Sequence, residues 1–212
     1  MPVSNQSGKE IPYSSGLPVM EHFYTIQGEG VNTGKAAYFI RLAGCDVGCV
    51  WCDVKDSWNA DNYPLMKIGE IMEVIKQHNA GMAVITGGEP MMYNLDELCT
   101  KLNDDNIYAC LETSGAYPLS GKWNWICVSP KKFKAPLPQV LQKANELKVI
   151  VYNSSDFNWA EEHAAKVSEG CKLLLQPEYS RFDEMIPLIV DYVKQHPKWQ
   201  ISLQTHKIIN VP

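Results

Sequence analysis

The chain has 212 residues, 45% hydrophobic and 20% charged, with a net charge of −5. That is enough for one domain with a real core, and a net negative chain has no field for wrapping a nucleic-acid backbone. No stretch approaches the ~20 apolar residues of a bilayer span, no basic segment followed by an apolar run opens the chain, and seven cysteines without such a leader suit a reducing cytoplasm.

Residues 1–18, rich in Ser, Gly and Pro, read as a loose lead-in, and residues 19–212 as a single domain. Residues 37–42 predict a strand, with Arg41 the one charge in an apolar run. Ile68, Ile71, Met72 and Ile75 recur at helical spacing. A strand over 83–86, a helix marked by Leu95, Leu98, Cys99 and Leu102, and strands over 107–111 and 125–128 follow. Residues 138–147 read as a helix with Pro138 in its first turn. Residues 148–152 read as a strand, and 156–168 as a helix capped by Ser155 or Asp156. A strand over 172–175, a helical stripe of Phe182, Met185, Ile186, Ile189 and Val193, and a strand over 200–203 complete the chain. This alternation predicts a parallel sheet with helices outside. The length falls short of a full eight-fold barrel, so the expected fold is α/β: an incomplete, modified (β/α) barrel of about six strand–helix units. A doubly wound sheet is the second architecture.

The densest chemical signal is Cys45, Cys49 and Cys52, three thiols within eight residues. Structural zinc takes four ligands, and the next cysteine and histidine, Cys99 and His78, lie far off in sequence. A redox C-x-x-C leaves Cys45 unexplained. An iron–sulfur cube on three thiolates, with one iron open to a small molecule, and a zinc site with a distant fourth ligand both remain. Cys99, Cys110, Cys127 and Cys171 lie in apolar stretches and read as small buried hydrophobes.

The other polar signals fall just past predicted strand ends, the rim on which parallel barrels place their chemistry. Gly87 and Gly88 let backbone approach a ligand, and Glu89 offers an acceptor for an ammonium. Ser129 and Lys131 offer donors, while Lys132 and Lys134 read as solvated. The Gln27-Gly28-Glu29-Gly30 loop, the Gln176-Pro177 pair and the Gln204–Lys207 patch add polar groups. Arg41, if it faces inward, must meet an anion. Trp58 and Trp123 read as packing residues.

Taken together, FYTIQGEG (23–30), FIRLAGC (39–45), CVWCD (49–53), TGGEP (86–90), ETSG (112–115), SPK (129–131) and SLQTHKIINVP (202–212) carry a family likeness. The chain resembles the 7-carboxy-7-deazaguanine synthase family of the radical S-adenosylmethionine superfamily, from about residue 20 to its last residue. The resemblance implies a shortened (β/α) barrel, a homodimer, and a [4Fe–4S] cluster on Cys45, Cys49 and Cys52. It implies S-adenosylmethionine against Trp51, Cys52, Asp53, Gly88, Glu89, Ser129, Pro130 and Lys131. The pterin substrate, 6-carboxytetrahydropterin, would meet Ile26, Gln27, Gly28, Glu29, Arg41, Thr86, His206 and the terminal carboxylate of Pro212. A 5′-deoxyadenosyl radical would take the hydrogen at C6 of the pterin, and ring contraction with loss of ammonia would follow. A reductant such as flavodoxin would supply the electron, and no nucleic acid or membrane is implied. Relatives hold Mg2+ with Thr or Ser directly after the CxWCD aspartate. Here that residue is Val54, so the Mg2+ ligands are unknown, with Asp53 and Asp56 as alternatives. Two other functions use some of these features: an activase for a glycyl-radical enzyme, and a non-catalytic zinc-stabilised binding protein.

Overall fold

The computed structural model describes residues 16–212 apart from Trp51. The chain opens with strands β1 (Leu17–Ile26) and β2 (Ala36–Leu42), an antiparallel hairpin in which Glu21 faces Arg41, Phe23 faces Phe39 and Thr25 faces Ala37. Strand β1 takes in Leu17 and Pro18, and the rest of the expected lead-in, residues 1–15, lies outside the described residues. From β2 onward the sheet is parallel, through β4 (Met82–Gly87), β5 (Tyr108–Thr113), β6 (Trp125–Val128), β7 (Glu146–Val151), β8 (Lys172–Pro177) and β9 (Trp199–Ile201). A two-residue strand, β3 (Leu65–Met66), flanks β1. The nine strands run β3-β1-β2-β4-β5-β6-β7-β8-β9 and the two ends do not meet. This is an open barrel.

The helices follow their strands: α1 (Ile68–Gln77), α2 (Asp96–Asp104), α3 (Pro138–Leu141), α4 (Asp156–Ala164), α5 (Phe182–Gln195) and α6 (Thr205–Ile209). The connection from β5 to β6 has no helix. The expectation of about six strand–helix units therefore matches the molecule. Each long helix buries one stripe: Ile71, Met72 and Ile75 on α1, Leu98, Cys99 and Leu102 on α2, Met185 and Ile189 on α5. These stripes join Ile40, Ile85, Leu111, Leu147, Val149 and Leu175 on the outer face of the sheet. A small separate cluster of Ala37, Met82, Val84 and Cys110, with Phe39 and Trp125 against it, plugs the inner face.

Three boundaries differ from the sequence reading. Residues 138–147 form one helical turn, and β7 begins at Glu146. The reason is a period of two: Leu147 and Val149 join the outer core while Glu146 and Lys148 face inward. The helix after β7 ends at Ala164, and Asp156 does not cap it. Its Oδ2 accepts from the Tyr152 and Asn153 amides at 2.7 and 2.9 Å and braces the preceding turn. The last strand is 199–201, and the polar tail beyond it contains the helix α6.

Candidate active site

The cysteine loop leaves β2 and is tied down at several points. The Gly44 amide donates to the Ser57 carbonyl at 2.6 Å, and the Cys45 amide to the Trp58 carbonyl at 3.2 Å. Asp46 accepts from Lys134 Nζ at 2.8 and 3.0 Å and from the Tyr117 hydroxyl at 2.5 Å. Lys134 is therefore a strut for this loop and not a solvated lysine. Lys132 likewise pairs with the buried Asp156. The loop after β4 is laced to the same segment. The Gly88 amide donates to Leu42 and the Glu89 amide to Gly44, each at 2.8 Å. A Cβ on Gly88 would stand 2.3 Å from the Gly44 carbonyl oxygen and 2.9 Å from Cβ of Cys45, so only glycine lets the two loops touch.

One cavity of about 300 Å³ lies over the inner face of the sheet. Cys45, Cys49 and Cys52 line one side of it together with Asp53, Val54, Gly88, Ser129 and Lys131. Ile26, Gln27, Gly28, Glu29, Arg41, Thr86, His206 and Pro212 line it as well. Segments spread over nearly two hundred residues thus meet in one place. Two expected residues do not line it. Pro130 is buried behind the wall. Glu89 is 1% exposed and accepts from the Met91 amide, the Thr113 hydroxyl, and the Ser114 amide and hydroxyl at 2.5–3.0 Å. Its oxygens brace the β4 and β5 loops, which differs from the ammonium acceptor expected of it. Asp56 also falls outside the lining, and Trp51 outside the described residues. Trp58, read as a packing residue, lines the cavity.

The β1–β2 hairpin and the tail close the other end. His206 sits over Gly28, where a Cβ would meet its Nδ1 at 2.3 Å. The amide and hydroxyl of Thr205 donate to the Gly28 carbonyl, each at 2.9 Å, and the Thr25 hydroxyl donates to the Pro212 carbonyl at 3.2 Å. Arg41 does face inward. Its anion is Glu21, with Nε to Oε1 at 2.6 Å. Burial holds the His206 imidazole below the usual histidine range.

The floor was not foreseen. Lys148 on β7, 4% exposed, donates to Glu29 at 2.6 Å and to Glu112 on β5 at 3.0 Å. Burial opposes the lysine charge, yet Cys127 and the carboxylates Glu112, Glu29 and Glu146 around it hold its pKa well above the usual range. Burial would raise the Glu29 carboxyl, but Lys148 and the Gln204 amide bring it down to about 2. Glu112 moves the other way: burial pushes it up and Lys148 offsets only part of that. The signal lay in the sequence Glu146-Leu-Lys148-Val, an alternation hidden by extending the preceding helix through residue 147. Cys127 on β6 belongs to this layer too, between Glu112 and Glu146 in register. Cys99 and Cys110 are buried as expected, whereas Cys171 is only partly buried.

An open parallel barrel with three thiols converging on its rim beside a glycine-rich loop defines a radical S-adenosylmethionine enzyme. Residues 39–126 match the Radical SAM superfamily model. The 7-carboxy-7-deazaguanine synthase of Flavobacterium psychrophilum is 55% identical over 92% of this chain and 93% of its own, and that of Synechocystis sp. 44% identical over the same shares. The crystal structure of QueE from Escherichia coli superposes with a TM-score of 0.80 at 32% identity, covering 88% of this chain and 93% of that one. The chain belongs to the 7-carboxy-7-deazaguanine synthase family.

Proposed function

We propose that the chain converts 6-carboxy-5,6,7,8-tetrahydropterin to 7-carboxy-7-deazaguanine with loss of ammonia, a step toward queuosine and related 7-deazapurines. One observation carries the reading: the three thiols, Arg41, His206 and Pro212 open on a single cavity. Three soft thiolates suit an iron–sulfur cluster and not a hard cation. Cys45, Cys49 and Cys52 would hold the [4Fe–4S] cluster, and Gly88 lets the loop after β4 pack directly against Cys45. When bound, the cluster and S-adenosylmethionine supply a carbon-centred radical that removes a hydrogen atom from the substrate.

The chain's own residues bind and orient. The side chains of Ser129 and Lys131 present donors toward S-adenosylmethionine, and Gly88, its amide spent on the Leu42 carbonyl, brings bare backbone alongside. Lys131 Nζ donates to the Ser129 carbonyl and hydroxyl at 2.9 and 2.6 Å, which fixes its reach. Glu21 sets the plane of the Arg41 guanidinium, so that its Nη groups can receive the substrate carboxylate. Gln27, Glu29, Thr86 and His206 would hold the ring. Phe23, Phe39, Val54 and Ile150 supply apolar wall that excludes water from the reacting carbon. Mg2+ would sit at the substrate carboxylate, with Asp53 the adjacent carboxylate lining the cavity and Val54 contributing no side-chain oxygen. A homodimer in the cytoplasm, reduced by a flavodoxin-like donor, completes the reading, with residues 19–212 acting as one domain.

The test is turnover of the reconstituted protein with S-adenosylmethionine, reductant and 6-carboxytetrahydropterin, with and without Mg2+. Formation of 7-carboxy-7-deazaguanine is expected. Accumulation of 5′-deoxyadenosine equally without the pterin would point to an activase, and its complete absence would overturn the reading.

A further inference from the structure

The Glu29–Lys148–Glu112 bridge sits at the floor of the cavity, and neither the family likeness nor the cluster loop gives Lys148 or Glu112 a task. Both oxygens of Glu29 are engaged: Oε2 by Lys148, and Oε1 by Gln204 at 2.8 Å. Glu112 gives Lys148 its Oε2 and lines the cavity beside it. The other groups facing Lys148 are Glu146 on its own strand, Cys127 on β6, and Lys131 and His206 farther round the wall. Glu146 is engaged elsewhere. It accepts from the Val31 amide at 3.0 Å and the Trp125 indole at 3.2 Å. The floor therefore holds one cation against two cavity-facing carboxylates. Two carboxylates this close, out of water, cannot both stay ionised without a cation between them. A carboxyl that gains a proton becomes a donor.

A pterin carries a 2-amino-4-oxopyrimidine edge with two adjacent N–H donors, which needs acceptors. We propose that Lys148 is a positioning residue that keeps Glu29 ionised and favours the ionised form of Glu112, so that the floor accepts the N–H edge of the substrate ring and selects for 2-amino-4-oxopyrimidines. This rests on the pterin reading of the cavity and adds its ring-recognition element. Lys148 touches no reacting atom. Its effect falls on binding and on the pH at which binding occurs.

The experiment compares the cluster-loaded wild type, Lys148→Met, Lys148→Arg and the double variant Lys148→Met/Glu112→Gln. Steady-state KM and kcat are measured for 6-carboxytetrahydropterin from pH 6 to 9, and calorimetry follows binding of the product, 7-carboxy-7-deazaguanine. Iron content and thermal melting report folding. Lys148→Met is expected to raise KM by about tenfold or more at neutral pH, with recovery as pH rises and the second carboxylate loses its proton. Lys148→Arg should keep the wild-type profile. The double variant has one carboxylate and no cation, so it should fold even if Lys148→Met does not, and its KM should be high and vary less with pH than that of Lys148→Met. The proposal is overturned if Lys148→Met binds product and substrate as the wild type does. It is equally overturned if the loss in Lys148→Met or in the double variant falls on kcat alone. A wild type that binds and turns over no pterin would instead sink the function proposed above, whatever the variants do.

Discussion

At the scale of single residues, burial and charge decide which groups carry the site. Glu29 has its carboxyl at about 2 in the folded chain, against 4.5 for an unperturbed one. A depressed carboxyl contributes stability that is complete above the unfolded value and is lost as pH falls toward the folded one. Acid melting curves should therefore steepen between about pH 4.5 and 2, and Glu29→Gln should flatten that limb while lowering stability at pH 7. An unchanged limb in Glu29→Gln would contradict the Lys148 pairing. Gly88→Ala tests the contact between the two rim loops. Its Cβ would clash with the Gly44 carbonyl and with Cβ of Cys45 and push the cysteine loop off, and displacement of a positioned group by an ångström costs about a hundredfold in rate. Iron loading and turnover of the variant should both drop, and normal values of both would show that the loops do not depend on each other. The cysteines, Arg41 and the rim glycines were legible because their residue types are conspicuous against apolar strands. Lys148 was not, because a single inward lysine in a strand looks like any surface lysine until the strand's partners are known. Glu89 shows the reverse case: a conspicuous acid whose four hydrogen bonds make it a brace.

At the scale of elements, the site is a meeting of two ends of the chain. The hairpin loop after β1 and the tail after β9 hold each other through Gly28, Thr205 and His206. Gly28→Ala should push the His206 ring off this contact at a cost of roughly 1–3 kcal/mol by overpacking. The variant should keep its cluster spectrum and lose pterin affinity. Equal affinity in the variant would remove His206 from the ring site. Trp199 on β9 is nearly fully buried and donates to Glu161 at 2.8 Å. Trp199→Ala should cost about 3–5 kcal/mol, seen as a large fall in the melting temperature, and a shift of only a degree or two would place β9 outside the cooperative core. Strand β1 does not stand out in the sequence because its LPVMEHFYTI run places polar residues, Glu21 and Thr25 on one face and His22 on the other, among the apolar ones. Its outer face is capped by aromatic contacts with Tyr38 and His78 and not by an aliphatic helix stripe. Helix α3 was overread because Pro138 and the residues after it carry good helix signals, while the turn at 142–145 is set by contacts from distant segments. Among these is the Lys172 amide donating to the Asn145 carbonyl at 2.9 Å.

At the scale of the whole molecule, the open sheet explains why so short a chain can host radical chemistry. Its outer face packs one continuous core against the helices, while the inner face is plugged by a few apolar residues and then turns polar toward the rim. The alternation of strand and helix was enough to read this architecture, because parallel β/α units have few ways to pack. What it did not reveal was the charged layer between plug and rim, since that layer comes from side chains on neighbouring strands that meet only after folding. The account depends on a three-thiolate cluster with an open iron at that rim. The most direct measurement is iron and sulfide analysis of the anaerobically reconstituted chain, with electron paramagnetic resonance of its reduced form before and after S-adenosylmethionine is added. Four irons per chain, and a spectrum that shifts when S-adenosylmethionine binds, are the expected result. Zinc in place of iron, or a cluster spectrum indifferent to S-adenosylmethionine, would contradict it.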